Sequence, residues 1–228
     1  MQKTKVRINI DEFPQEIRCF MQNANIYDSS CHSSAKVFYI DTGYYLKIDK
    51  KGSMKREAEL TKIFYEIGLG VELLFYISKE KDYMLTRSAV GEDAISYLDT
   101  PRKICEVMAK TLLDLHSLST NEIPESARMQ QYKNSSKKEF IQKLKCDTLI
   151  HGDFCLPNII LDNGEFSTLI DFSMSGIGDK HIDLYWAIWS LDFNLETDEY
   201  TDYFLDLYGR DNFDEKMLKV IAMLEAAE

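Results

Sequence analysis

The stretch His151-Gly152-Asp153-Phe154-Cys155-Leu156-Pro157-Asn158, followed by Leu169-Ile170-Asp171-Phe172, restricts the possible folds of this chain more than any other. Between Asn158 and Asp171 the residues read as a β-hairpin. Ile159-Ile160-Leu161 is an apolar strand, Asp162-Asn163-Gly164-Glu165 a turn, and Phe166 to Ile170 the return strand. Such a hairpin returns Asn158 and Asp171 to the same end, with Asp153 facing them from the preceding loop. Two carboxylates and a carboxamide then meet in one place. This arrangement suits phosphoryl transfer, with one Asp accepting the proton of an attacking hydroxyl while an Asn and a second Asp hold magnesium against nucleotide phosphates.

The same residues resemble the aminoglycoside 3'-phosphotransferases, a family of protein-kinase-like antibiotic kinases. The family pattern is H-G-D-x-x-x-x-N, then I-D-x-x, then a further Asp about a dozen residues on, here Asp183 in Gly178-Asp179-Lys180-His181-Ile182-Asp183-Leu184. The resemblance runs from about Ile26 to the C-terminus. It implies an α+β, two-lobed fold: a small β-rich nucleotide-binding lobe over 1–90 and a larger helical catalytic and acceptor-binding lobe over 91–228. It also implies ATP and Mg2+ as cofactors and transfer of the γ-phosphate to an aminoglycoside hydroxyl, the 3'-OH, with antibiotic resistance as the consequence. Kinases of another small acceptor (macrolide, choline-like or sugar) and a nucleotide-binding pseudokinase stay open as alternatives.

Composition narrows the partners. The formal net charge is -11. That argues against nucleic acid, whose binding proteins are normally basic, and suits a cationic small molecule. Acidic proteins are also ordinary, so charge alone does not decide. No apolar run approaches a membrane span, and the N-terminal Met1-Gln2-Lys3-Thr4-Lys5-Val6-Arg7 is not followed by the apolar segment of a signal peptide. The five cysteines form neither a disulfide framework nor a C-x-x-C pair, and read as reduced thiols of a cytoplasmic protein. Cys155 is expected to be a passenger in its loop.

The first third reads as strands and one helix. Lys36 to Ile40 and Tyr44 to Ile48 flank the turn Asp41-Thr42-Gly43. Met54 to Ile67 is a helix, with Ser53 as N-cap and Gly68 as its stop. Glu72 to Ile77 and Tyr83 to Thr86 are further strands, and Val90 to Asp93 a hinge. Pro101 to Leu118 is an amphipathic helix. The polar segment from Asn121 to Lys138 is expected to be a loop or loose helix. Helices are expected over Asp183 to Leu191, Tyr200 to Tyr208 and Lys216 to Ala226.

Lys47 ends a strand and Glu57 lies on the next helix. A buried strand lysine is costly unless paired, and this pair matches the kinase Lys–Glu ion pair that aims an ammonium at the α- and β-phosphates. Glu59 is a rival partner, and a solvent-facing Lys47 is the plainer alternative. By resemblance, Ser33 contacts phosphate, Tyr45 stacks on adenine (or is simply a core tyrosine), and the hinge backbone from Thr86 through Arg87 and Ser88 to Ala89 pairs with the adenine edge. Asp153 is the base, Asn158 and Asp171 hold metal, and His151 and Asp183 brace the loop. The acceptor-binding acids are expected among Asp179, Asp192, Glu196 and Glu225, with Asp198, Glu199 and Glu228 also on this lobe. Three departures from the family stand out: Met174 replaces an Arg three residues beyond Asp171, Phe193-Asn194 falls near an expected acidic pair, and the segment 118–148 is short.

Overall fold

A computed structural model describes residues 3–30, 35–119 and 122–226. The chain forms two compact units, Met1–Ala89 and Val90–Glu228. In the first, β1 (Thr4–Val6), a helix α1 (Gln15–Met21), β2 (Ile26–Asp28), β3 (Lys36–Ile40), β4 (Tyr44–Lys50), α2 (Lys55–Glu66), β5 (Leu73–Ser78) and β6 (Lys81–Arg87) follow in turn. The strands make one antiparallel sheet in the order β1-β2-β3-β4-β6-β5. Alternation sets its two faces. Phe38, Ile40, Leu46, Ile48 and Leu85 pack with Ile17 and Met21 of α1 into a core. Each such side chain removed from water contributes about 1.5–3 kcal/mol. The intervening residues of β4, Tyr45 and Lys47, lie on the opposite face. Lys47 pairs in register with Met84, and Met84 packs against Met54 and Ala58 at the start of α2. The helix therefore covers the lysine's face of the sheet.

The start of α2 differs from the sequence expectation. Ser53 does not cap it: its Oγ donates to Lys50 O at 2.6 Å, and Met54 is the N-cap position. The fully buried Asp82 of β6 takes the capping part, accepting from Gly52 N and Met54 N, both at 2.9 Å. Tyr76 Oη and Ser78 Oγ donate to the same carboxylate at 2.9 and 2.6 Å. At its other end the helix stops at Gly68, whose φ is +79°.

The second unit contains β7 (Glu92–Asp93), α3 (Pro101–His116), α4 (Ala127–Asn134), α5 (Lys138–Ile141), β8 (Thr148–Ile150), β9 (Ile159–Asp162), β10 (Glu165–Leu169), β11 (Gly176–Gly178), α6 (His181–Leu195), α7 (Thr201–Tyr208) and α8 (Glu215–Glu225). The hairpin β9–β10 forms as expected, with Leu169 opposite Ile159. Glu92–Asp93, expected as part of a hinge, instead adds a third strand, pairing with Leu161 and Ile160. Gly91 makes this approach possible: its φ is +108°, and a Cβ there would stand 2.0 Å from Leu161 O. The polar segment expected as a loop carries α4, with Ser126 Oγ accepting from Met129 N as a true N-cap. Met129 and Tyr132 are buried, and they pack with Ile150, Ile182, Val220, Ile221 and Leu224. That cluster ties α4 and β8 to α6 and α8. Among the described residues no helix is long and apolar enough to cross a membrane.

Candidate active site

The loop after β8 is shaped from beneath by Asp183. Its Oδ2 accepts from His151 N at 2.8 Å and its Oδ1 from Gly152 N at 2.7 Å, with all three residues buried. His116 Nε2 lies 3.2 Å from the same carboxylate, and His116 Nδ1 is 2.9 Å from Tyr208 Oη. The expected bracing by Asp183 is thus joined by α3 and α7, which the sequence did not suggest. Burial, followed by the nearby Asp183 charge, pushes the Tyr208 phenol well above its ordinary value. His151 is fully buried, with Nε2 3.0 Å from Ile170 O, and its carbonyl accepts from Ser175 Oγ at 2.7 Å. It is a structural histidine that locks the loop to the end of β10. Gly152 has φ +80°, and a Cβ there would come within 2.3 Å of Met174 O. Only glycine fits between the two loops.

Asp153 follows directly, its side chain 35% exposed. Asn158 Nδ2 donates to Asp153 O at 2.9 Å and to its Oδ2 at 3.1 Å. Ile170 N donates to Asn158 O at 3.0 Å, so the hairpin ends place Asn158 beside the residue preceding Asp171. Asp171 is exposed and takes φ +61°, a conformation costly for a non-glycine residue and tolerated where the surroundings enforce it. Ser173 Oγ donates to its Oδ1 at 2.8 Å. With its amide nitrogen on Asp153, Asn158 has its carbonyl oxygen as metal-capable atom. This carbonyl oxygen and the Asp171 carboxylate are both hard oxygen donors, the donor type Mg2+ takes.

A basic group absent from the sequence expectations completes the loop. Arg128 of α4 donates from Nε to Gly152 O at 2.9 Å. One terminal nitrogen lies 3.6 Å from Asp153 Oδ1 and the other 3.6 Å from Glu225 Oε1. Its guanidinium carbon sits 4.7 Å from the ring centroid of Trp186. The only sequence signal was a lone arginine in a polar stretch, and nothing there links it to Asp153. Cys155 is buried. Burial, then the neighbouring Asp153 charge, drives its thiol far above the ordinary value, as suits a packed side chain.

In the first unit, Lys47 Nζ contacts both Glu57 oxygens, at 2.8 and 3.0 Å, with Glu57 buried. The rival Glu59 is exposed and lies 3.9 Å from Lys55. Tyr45 is half-buried, with its ring 5.1 Å from that of Tyr39. Arg87 is a structural residue: its Nε donates to Glu72 Oε2 and its backbone N to Glu72 O, at 2.8 and 2.9 Å. Hydrogen bonding to Glu72, then its charge, raises the Arg87 pKa further. Its backbone N–H is thus engaged within the sheet edge by Glu72 O. Ala89 is half-buried, and Ser33 lies outside the described residues.

The expected acceptor acids do not gather into one cluster. Asp179 must be removed from the set. It is 2% exposed and accepts from Lys145 N at 2.8 Å and His181 N at 3.0 Å, with His181 Nδ1 2.6 Å away. Burial pushes its carboxyl up, but these contacts outweigh that and hold it below the ordinary range. Asp192 accepts from Thr201 Oγ1 at 2.8 Å, and burial raises its pKa. Glu196 is exposed at the left-handed end of α6, with φ +56°. Glu225 accepts from Trp186 Nε1 at 3.1 Å and from the Tyr132 hydroxyl. Burial and then that carboxylate raise the Tyr132 pKa strongly. Of the four, Glu225 alone is linked to Asp153 by a described contact, through Arg128.

A β-rich unit followed by a helical unit carrying a loop–hairpin of this design defines an enzyme of the protein-kinase-like class. The model of the Phosphotransferase enzyme family matches residues 137–218. A Lactococcus lactis protein described as a probable aminoglycoside 3'-phosphotransferase is 37% identical over 97% of this chain and 97% of its own length. Among solved structures, the aminoglycoside phosphotransferase APH(3'')-Id of Streptomyces rimosus superposes with a TM-score of 0.71 at 19% identity, over 86% of this chain and 90% of that one. A choline kinase of Streptococcus pneumoniae gives 0.66 at 16% identity, over 92% and 84%. The chain belongs to the aminoglycoside 3'-phosphotransferase family, and so to the small-molecule kinases.

Proposed function

We propose that the chain transfers the γ-phosphate of ATP to a hydroxyl of an aminoglycoside, the 3'-OH, and that in the cytoplasm this confers resistance. The observation that carries the reading is the Asp153 carboxylate, half-exposed and oriented by the Asn158 amide at 3.1 Å. Asp153 aligns the acceptor hydroxyl and takes its proton as the bond to phosphorus forms. The Asn158 amide fixes which carboxylate oxygen faces the acceptor. Asn158 and Asp171 would hold Mg2+, which supplies charge neutralisation on the phosphates. Lys47, aimed by Glu57, serves as the ammonium for the phosphates, Ser33 as a further phosphate contact, and Tyr45 and Ala89 as parts of the adenine site. Glu196 is the exposed acid of the original four and serves the acceptor's amines. Support for this acceptor class comes from the 37% identical Lactococcus lactis relative and its description.

A second reading, a kinase of a small mono-cationic alcohol, is favoured by one observation. Asp179, Asp192 and Glu225 are engaged by internal donors, which leaves fewer anions for a polyamine. The test is phosphate transfer from ATP to kanamycin, streptomycin and choline across a salt series. An aminoglycoside kinase phosphorylates the first or second, with an acceptor KM that rises steeply as the Debye length falls from about 10 Å at 0.1 M to about 3 Å at 1 M. Transfer to choline alone establishes the second reading. No transfer to any of them, together with ATP hydrolysis unaffected by Asp153→Ala, refutes both.

A further inference from the structure

We propose that Arg128 is a positioning residue for Asp153, fixing the carboxylate's place while itself anchored on Glu225. The inference rests on the reading of Asp153 as the base. Arg128 reaches the loop from α4, a separate element, and it grips two successive residues. Its Nε–H binds the carbonyl of Gly152, and a terminal nitrogen stands 3.6 Å from Asp153 Oδ1. That second separation is too long for a hydrogen bond and short enough for strong charge attraction in a partly buried place. An oxygen in such a position is held in place without being capped by a hydrogen bond from the guanidinium, which leaves it open to an incoming hydroxyl. Asn158 bonds the other oxygen, Oδ2, so the two neighbours divide the work.

The arginine is itself held rigidly. Its side chain is 12% exposed, its guanidinium lies over Trp186, and its other terminal nitrogen faces Glu225. Trp186 Nε1 and the Tyr132 hydroxyl both donate to Glu225 Oε1, so the anion that anchors Arg128 is itself anchored from α4 and α6. A purely structural arginine would need only the Trp186, Glu225 and Gly152 contacts. The approach to Asp153 is the additional one, and a planar fork can hold it where an ammonium could not span all four partners. Glu225, already engaged by two hydrogen-bond donors and facing the guanidinium, is then an anchor for Arg128 and not a contact for an acceptor amine.

The experiment compares wild type, Arg128→Ala, Arg128→Lys and Asp153→Ala. Readouts are transfer to kanamycin and choline, ATP hydrolysis with water as acceptor, KM for ATP, and melting temperature. Arg128→Ala is expected to lower kcat about 10- to 100-fold with KM for ATP within about two-fold, a range typical of lost acid–base function. Guanidinium ion added at tens of millimolar should recover part of that loss in Arg128→Ala and nothing in Asp153→Ala. Arg128→Lys, keeping charge but not the fork, should fall between. The proposal is overturned if Arg128→Ala keeps kcat within three-fold of wild type. It is equally overturned if Arg128→Lys matches Arg128→Ala and guanidinium rescues nothing, since the residue would then be scaffold only. If wild type is active and Asp153→Ala is not, the reading of the base stands whatever Arg128 does. If Asp153→Ala leaves every activity unchanged, that reading fails and the proposal fails with it.

Discussion

Replacing Asp183 by Asn changes no volume and removes one acceptor, so its effect can be worked from the hydrogen bonds alone. The carboxylate is fully buried and takes two backbone N–H groups, from His151 at 2.8 Å and Gly152 at 2.7 Å. An Asn keeps one acceptor oxygen and turns an NH2 toward the second backbone N–H. A hydrogen bond to a charged group is worth about 1.5–3 kcal/mol, and an orphaned buried donor costs about 1–3 kcal/mol. One charge-assisted bond lost and the other weakened gives a loss of about 2–4 kcal/mol for Asp183→Asn. Asp183→Ala, which strands both donors and the contact with His116, should lose more, on the order of 3–6 kcal/mol. Against a typical total of about 5–15 kcal/mol, the Asn variant folds and the Ala variant is marginal. The assay is urea unfolding followed by tryptophan fluorescence. Both tryptophans, Trp186 and Trp189, lie on α6 with Asp183 and report on the same unit. The same variant should show a reduced kcat, because the backbone that carries Asp153 hangs from these two bonds. A loss below about 0.5 kcal/mol with full kcat would show that the loop holds its shape without Asp183 and would refute the reasoning.

Three further outcomes are expected. Gly152→Ala, forced to keep φ +80° with its Cβ 2.3 Å from Met174 O, should separate the two loops and cost several kcal/mol, on the order of 3 or more; its urea midpoint should fall well below wild type, and an unchanged midpoint would mean the loops part freely. Lys47→Ala should weaken ATP affinity by calorimetry, and Glu57→Gln should do so to a smaller extent, because the buried glutamate aims the ammonium and does not touch nucleotide; equal binding in all three proteins would remove the pair from the nucleotide site. Burial raises the Asp82 carboxyl, but hydrogen bonds from Ser78, Gly52, Met54 and Tyr76 outweigh it and hold the pKa below the ordinary value. Its stabilising effect is therefore complete above about pH 4 and fades as pH falls through the lowered folded value. The stability gap between wild type and Asp82→Asn should shrink from pH 7 to pH 3, and a constant gap would contradict the linkage.

What was readable in the sequence and what was not divide along a physical line. The hairpin, the strands β3 and β4 and the helix α2 could be read because period and turn chemistry are local: Gly43 and Gly164 sit at the turns, and Leu46 and Ile48 alternate with Tyr45 and Lys47. Lys47 and Glu57 could be paired because the helix covering one face of β4 follows it directly. Asp82 was invisible for the opposite reason. Its four partners come from two separate segments, 52–54 and 76–78, and no spacing announces that an acid on one strand will cap a helix two elements earlier. His116 and Tyr208 meet Asp183 from α3 and α7 in the same way. The acidic residues were misjudged because sequence counts charges without showing which are already engaged. Asp179 and Glu225 read as free anions for an amine, yet each is satisfied by internal donors. The corrected picture shifts attention from a field of carboxylates to one arginine. An acceptor approaching Asp153 meets a site in which Arg128 already supplies the positive partner for two of the acids. On the proposed reading the exposed Glu196 serves a cationic acceptor, and Glu196→Gln should raise the acceptor KM without changing that for ATP. An acceptor KM that ignores this substitution and ignores salt would leave the smaller, mono-cationic alcohol as the better substrate.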